Sequence, residues 1–225
     1  MMLVCFSYKI ILTDVLNLFR INIRMKIKAA EIKKIKTLSE DLGGVFTYND
    51  LKIIFPTQYN NSFYGIIKNL ESLGIIKRFI KGFYVTEDFN LKILSQKICR
   101  ESYVSFETVL ASSGLIGTFS DDFLRAVKIG RSKIYKLETR SIVHMGISKD
   151  MFFGYHADNG INYADKEKAF LDTLYFYTSG MTFYFDIYSD ITTELLDIDL
   201  LNNYLKRYKN PKFIKFVKGY LNETT

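Results

Sequence analysis

The chain has 225 residues, 48% hydrophobic and 24% charged, with only two cysteines and two prolines, a mixture that excludes long disordered, collagenous or disulfide-stapled architectures. Its net charge of +7 is uneven: residues 25–100 carry 13 Lys and Arg against 7 Asp and Glu, and residues 101–225 carry 15 against 16. A basic module beside a near-neutral one is what a nucleic-acid binder joined to a second function would show.

Residues 1–24 are apolar but broken by Lys9, Asp14 and Arg20. They fall short of the roughly 20 apolar residues that span a bilayer, and no small-x-small cleavage site follows. Two readings stand: an amphipathic helix with Leu12, Val15, Leu16, Phe19 and Ile23 on one face, or a translation start at Met25. Cys5 and Cys99 lie far apart without metal-ligand spacing, which predicts two reduced thiols in a cytoplasmic protein.

From Lys26 to Leu42 the apolar residues Ile27, Ala30, Ile32, Ile35, Leu38 and Leu42 recur at helical spacing, and Gly43-Gly44 ends the helix. Thr47 is a suitable N-cap for a short second helix, Tyr48 to about Ile54, which Pro56 stops. A polar turn follows, from Thr57 to Asn61. Ser62–Leu73 is the clearest helix, with Phe63, Ile66, Ile67, Leu70 and Leu73 on one face. Its other face carries Asn61, Ser62, Tyr64, Gly65, Lys68, Asn69 and Ser72. After Gly74 the period changes. Ile75–Phe79 and Phe83–Val85 are β-branched and aromatic, with Lys81-Gly82 between them, predicting a hairpin that bears Lys77, Arg78 and Lys81.

Three helices and a basic hairpin make a winged helix-turn-helix. The second helix of that motif enters the major groove with its N-terminal residues nearest the base edges, where Asn pairs with adenine and Ser with several bases. The expected DNA surface is Asn60, Asn61, Ser62, Tyr64 and Lys68, with Gly65 permitting close approach and Lys77, Arg78 and Lys81 meeting phosphates or the minor groove. A solvated helix face in a protein-interaction module would present the same polar residues.

Beyond a connector over residues 86–102, with a short helix from Leu91 to Cys99, Tyr103-Val104 reads as a strand. Ser105 reads as the N-cap of a helix from Phe106 to Ser113, which Gly114 ends. Residues 118–150 suggest strands at Ala126–Ile129, Lys133–Leu137 and Ser141–Met145. The Met151–Tyr155 segment is strongly apolar, and Asp158-Asn159-Gly160 is a turn signal. Asp165 reads as an N-cap, and Ala169, Phe170, Leu174 and Tyr177 as a buried helical face. Two more helices follow Asp199, split by Asn210-Pro211. Lys206, Arg207, Lys209, Lys212, Lys215 and Lys218 lie there without an acidic residue, as a second basic patch or a solvated face.

Three of these blocks resemble the AbiEi-type antitoxin family over about residues 25–180. Tyr103–Glu107 through Ser113-Gly114-Leu115-Ile116 resembles its strand, Ser, helix and Gly-Leu-Ile segment. Phe152-Phe153-Gly154-Tyr155 is similar to its Phe-Phe-Gly block, and Ala164–Asp172 to its Ala-x-x-Lys-Ala-Leu-Leu-Asp stretch. Lys166 stands where the family often has Pro, Phe170 replaces a Leu, and residues 118–145 match only loosely. The resemblance implies an antitoxin whose winged helix represses its own operon and whose second domain counters a nucleotidyltransferase-like toxin, without a stable complex in systems labelled type IV. Within the last block, Glu167, Lys168 and Asp172 are expected to cap and ion-pair at a helix start.

Together these readings predict an α+β protein: an extension over residues 1–24, a winged helix-turn-helix over 25–88, and a small mixed α/β antitoxin domain with C-terminal helices over 89–225. The expected partners are double-stranded operator DNA and the toxin, in the cytoplasm and away from membranes. His144 and His156 are isolated, Asp121-Asp122 reads as a loop or N-cap, and no P-loop, Rossmann or Gly-x-Ser-x-Gly pattern occurs. No catalytic residue, metal site or cofactor is therefore expected. Two alternatives are a regulator with a small-molecule pocket in its second domain and an interaction module that sequesters a toxin directly.

Overall fold

A computed structural model describes residue 29 and residues 32–57 and 60–223; residues 1–24, Ile27 and Ala30 lie outside the described residues. The chain divides into two compact units, one ending at Asn90 and one beginning at Leu91. Both contain helices and a sheet, so the architecture is mixed α and β.

In the first unit, helix α1 covers residues 32–42. Gly43 and Gly44 follow with φ of 59° and 70°, which turn the chain back. An added Cβ at Gly44 would collide with the Thr86 hydroxyl and lie 2.9 Å from the Phe89 backbone, so both conformation and space demand glycine. The chain then forms β1 (Val45–Thr47), which sequence spacing did not suggest. Thr47 also caps α2 (Tyr48–Ile54) in a reciprocal box: the Asp50 N–H donates to Thr47 Oγ1 at 3.1 Å and the Thr47 N–H to Asp50 Oδ2 at 2.8 Å. Helix α3 runs Asn60–Ser72, two residues earlier than expected, and Leu73 lies beyond it at 42% exposure rather than in the core. Strands β2 (Lys77–Ile80) and β3 (Phe83–Val85) form the hairpin, and β1 adds to β3 for a sheet of order β1-β3-β2. Ile35, Phe46, Leu51, Phe63, Ile67, Leu70 and Ile76 fill the core.

The second unit opens with α4 (Leu91–Ile98), β4 (Ser102–Val104) and α5 (Glu107–Ser112). There follow β5 (Phe123–Ile129), β6 (Lys133–Leu137), β7 (Arg140–Ile147), β8 (Tyr155–Asp158) and β9 (Ile161–Ala164). Last come α6 (Lys166–Thr178), α7 (Ile198–Leu205) and α8 (Pro211–Glu223). The six strands make one mixed sheet of order β6-β7-β5-β4-β9-β8, in which β5–β7 and β4–β9 are parallel. The Asp158-Asn159-Gly160 signal is realised as the β8–β9 turn, Asn159 and Gly160 taking φ of 47° and 78°. Helix α6 is buried along most of its circumference and packs on α5, α7 and α8.

Three local expectations are met only in part or not at all, two of them because a distant partner takes the side chain. Ser105 does not cap α5; its hydroxyl donates to Asp172 Oδ2 at 2.9 Å, and the cap position falls to Phe106 at φ 56°. Asp165 holds the N-cap position of α6, but its carboxylate receives Tyr204 and His156 rather than helix amides. Tyr177 is 38% exposed, whereas Ala169, Phe170 and Leu174 are buried as expected.

Candidate nucleic-acid interface

The outward side of α3 follows from its own period. Phe63, Ile67 and Leu70 turn into the core, so Ser62, Tyr64, Gly65 and Lys68 are exposed. Asn60 and Asn61 form the first positions of α3; their side chains lie outside the described residues. The Cβ direction of Gly65 meets nothing within 4 Å, which leaves room for a close backbone approach. Tyr64 is 50% exposed, with its hydroxyl 3.4 Å from that of Tyr48. Lys52 lies 5.0 Å from the Tyr48 ring and adds a cation beside this tyrosine pair. Sequence reasoning passed over Tyr48 and Lys52, although their i, i+4 spacing on α2 puts them on one side.

The hairpin presents its cations unequally. Arg78 and Lys81 are exposed, while Lys77 is half-buried. Lys77 lies opposite Val85, which is fully buried, so its side of β2 is partly covered. Two cations, rather than three, project freely from the hairpin.

The second basic patch is also divided. All six of its residues are exposed. Arg207 stacks 4.0 Å over the Phe153 ring, Lys209 pairs with Asp150 at 2.7 Å, and Lys206 donates to Asn203 Oδ1 at 2.8 Å. Lys212, Lys215 and Lys218 recur every three residues along one side of α8.

The remaining polar clusters of the second unit are mostly internal. Lys168 and Asp172 form the expected ion pair at i, i+4 in the first turns of α6, and both are fully buried. Asp172 Oδ2 also accepts the Tyr103 hydroxyl at 3.1 Å, and Lys168 Nζ donates to the Tyr208 hydroxyl at 3.3 Å. Burial raises the Asp172 carboxyl and lowers the Lys168 ammonium, each opposed by its partner's charge. Glu167 receives the Asp197 N–H at 2.8 Å. Glu107 and Arg125 form a second buried pair, and burial pushes the guanidinium down to about 10. His144 is buried against the Ser95 hydroxyl at 2.8 Å, and desolvation pushes it down to about 4, so it is neutral. These groups are buried and join segments distant in sequence, Glu167 also lining the cleft beside His156.

One dyad is open. His156 Nδ1 lies 2.9 Å from Asp165 Oδ1, and the Tyr204 hydroxyl donates to Asp165 Oδ2 at 2.5 Å. The imidazole borders a cleft of about 530 Å³ lined also by Lys92, Ser112 and Lys166. The carboxylate orients the ring as it would orient a general base, but among the described residues no hydroxyl bonds its other nitrogen. Asp122 sits in a loop and accepts Arg140 Nε at 3.1 Å. Among the described residues no three His, Cys, Asp or Glu side chains are grouped to hold a metal ion, and no helix is long and apolar enough to cross a membrane.

No protein-family model matches the chain, and comparison with curated proteins likewise produces no match.

Proposed function

We propose that the first unit is a winged helix that binds double-stranded DNA, α3 lying in the major groove and the β2–β3 hairpin acting as the wing. One observation carries this reading: the exposed face of α3, with Ser62, Tyr64, Gly65 and Lys68, adjoins no acidic residue of its own helix except Glu71, which is half-buried. Phosphate contacts supply most of the affinity of such interfaces, and base-edge contacts supply the preference. Arg78, Lys81 and Lys52 are the exposed cations for the first role, with Lys77 a lesser contributor; Ser62, Tyr64 and Lys68 serve the second, together with the first two positions of α3, Asn60 and Asn61. The chain then acts in the cytoplasm as an AbiEi-type antitoxin. It represses its own operon through the first unit and counters a nucleotidyltransferase-like toxin through the second. The order of blocks in the sequence supports this reading. The alternative regulator with a small-molecule pocket receives less support, because the cleft beside His156 is lined largely by charged and hydroxyl groups.

Fluorescence anisotropy with DNA from upstream of the gene, against scrambled DNA at two salt concentrations, tests the reading. Tighter binding to the upstream DNA that falls steeply with salt is the expected result. Weak binding to both would reduce the first unit to a scaffold and leave direct neutralisation of a partner protein.

A further inference from the structure

The second unit carries a surface that the DNA-binding reading does not use. Residues 173–205 contain Asp186, Asp190, Glu194, Asp197 and Asp199 and no Lys or Arg. The loop over residues 114–122 contains Asp121 and Asp122 and again no Lys or Arg. In a chain of net charge +7 this is a local reversal of sign. The two segments meet at a hollow of about 340 Å³ lined by Gly117, Phe119, Tyr184, Phe185 and Asp190. Tyr184 is 81% exposed. Its ring lies 6.3 Å from that of Phe119 and 6.2 Å from that of Phe123, and those two are 6.2 Å apart, so three rings brace one another at the surface.

The electrostatic contributions at this hollow share one sign. Aromatic faces are the negative ends of ring quadrupoles. Asp190 adds a carboxylate whose turn is fixed: the Asp186 N–H donates to its Oδ2 at 2.8 Å and Ser189 Oγ to its Oδ1 at 3.2 Å. Each oxygen keeps a further lone pair. Asp186 accepts the N–H groups of Tyr188 and Ser189 at 2.7 and 3.0 Å, which holds its carboxyl below the usual range and keeps it ionised. The cation behind the rings, Arg125, is neutralised by Glu107. Arg125 also shows what these rings accept, because its guanidinium lies 4.6 Å from the Phe123 centroid and 5.2 Å from that of Phe183.

We propose that the hollow formed by Phe119, Tyr184 and Asp190 is a docking site for an arginine side chain of a partner protein. The guanidinium lies on the exposed Tyr184 ring and the half-buried Phe119 ring and pairs with Asp190. Arginine fits better than lysine, because its planar fork both stacks and binds a carboxylate through two hydrogen bonds. A nucleic-acid strand could use the same rings for base stacking, but its phosphates would face the Asp190 carboxylate at the hollow and Asp186 hydrogen-bonded beside it.

The test titrates the full chain, with labelled tyrosine and phenylalanine rings, against a Gly/Ser peptide containing two arginines, and against the same peptide with citrulline, the neutral isostere. The arginine peptide should shift the Tyr184 and Phe119 resonances at millimolar concentration or below. The citrulline peptide, and the Tyr184→Ala and Asp190→Asn variants with the arginine peptide, should each bind about fivefold more weakly. Tyr184 is too exposed for its loss to unfold the chain, and the side-chain amide of the Asp190→Asn variant retains an oxygen for the Asp186 N–H. Ile134→Ala, at an exposed residue of β6, should change nothing. Equal binding of the two peptides, indifference to Tyr184→Ala, absence of any shift at millimolar peptide, or a stronger response to a single-stranded oligonucleotide would each overturn the proposal.

Discussion

Lys168→Met tests the buried pair in the N-terminal half of α6. Both side chains are at 0% exposure, and Asp172 takes the hydroxyls of Tyr103 and Ser105 besides the Lys168 ammonium. Stranding one buried charge costs about 3–5 kcal/mol, against a total stability of about 5–15 kcal/mol for a domain. Asp172→Leu strands the ammonium and also orphans both hydroxyls at about 1–3 kcal/mol each, which reaches the whole stability, so that variant should not fold. Lys168→Met leaves Asp172 two donors and another escape, protonation. Burial already raises this carboxyl and the Lys168 charge opposes the rise. Removing the lysine lifts it further. A carboxyl raised on folding binds more protons in the native state, so its contribution is present at low pH and lost as pH rises through the folded value. The variant should therefore be weakest at neutral pH and regain stability on acidification toward the ordinary Asp value of 3.8. Hydrogen exchange of the α6 amides with increasing urea measures this within the second unit. A loss below about 1 kcal/mol at neutral pH, or further weakening on acidification to about pH 5, would refute the reasoning.

Other perturbations follow from single contacts. Gly44→Ala should cost about 2–4 kcal/mol in urea unfolding of the first unit, because its φ is positive and Thr86 and Phe89 fill the Cβ site. Gly65→Ala should do the opposite, stabilising α3 by about 0.5–1 kcal/mol, while weakening operator binding in anisotropy; unchanged binding would show that the α3 face does not approach DNA closely. Arg78→Ala with Lys81→Ala should weaken binding to all sequences equally and lower the salt slope by about 2. His144, pushed down from 6.5 to about 4, makes a contribution that is complete above 6.5 and lost as pH falls toward 4, at most about 3 kcal/mol. His144→Gln, which keeps a partner for Ser95, should flatten the stability profile across that window in acid titration followed by circular dichroism.

What could be read without coordinates is what the chain encodes along single elements. The inward period of α3, the bounds Lys133–Leu137 of β6, the β8–β9 turn and the Thr47 cap all depend on residues within one or two turns of one another. The exposed face of α3 is legible for the same reason, since it is the complement of the face formed by Phe63, Ile67 and Leu70. Strand β1 was not legible: three residues show no period, and β1 exists because β3 offers it an edge. The half-burial of Lys77 and the engagement of Arg207 by Phe153 likewise depend on what lies opposite. Ser105 and Asp165 are sound caps by local chemistry, yet Asp172, 67 residues away, and Tyr204, 39 residues away, take their side chains. Lys168 is legible as an ion-pairing residue at a helix start, but its burial is not, because Tyr103 and Tyr208 arrive from either side of it in sequence to enclose it. Periodicity reports which way a side chain leaves its own backbone; which group meets it there is decided by loop closures across tens of residues, and those closures leave no spacing in the sequence to be read.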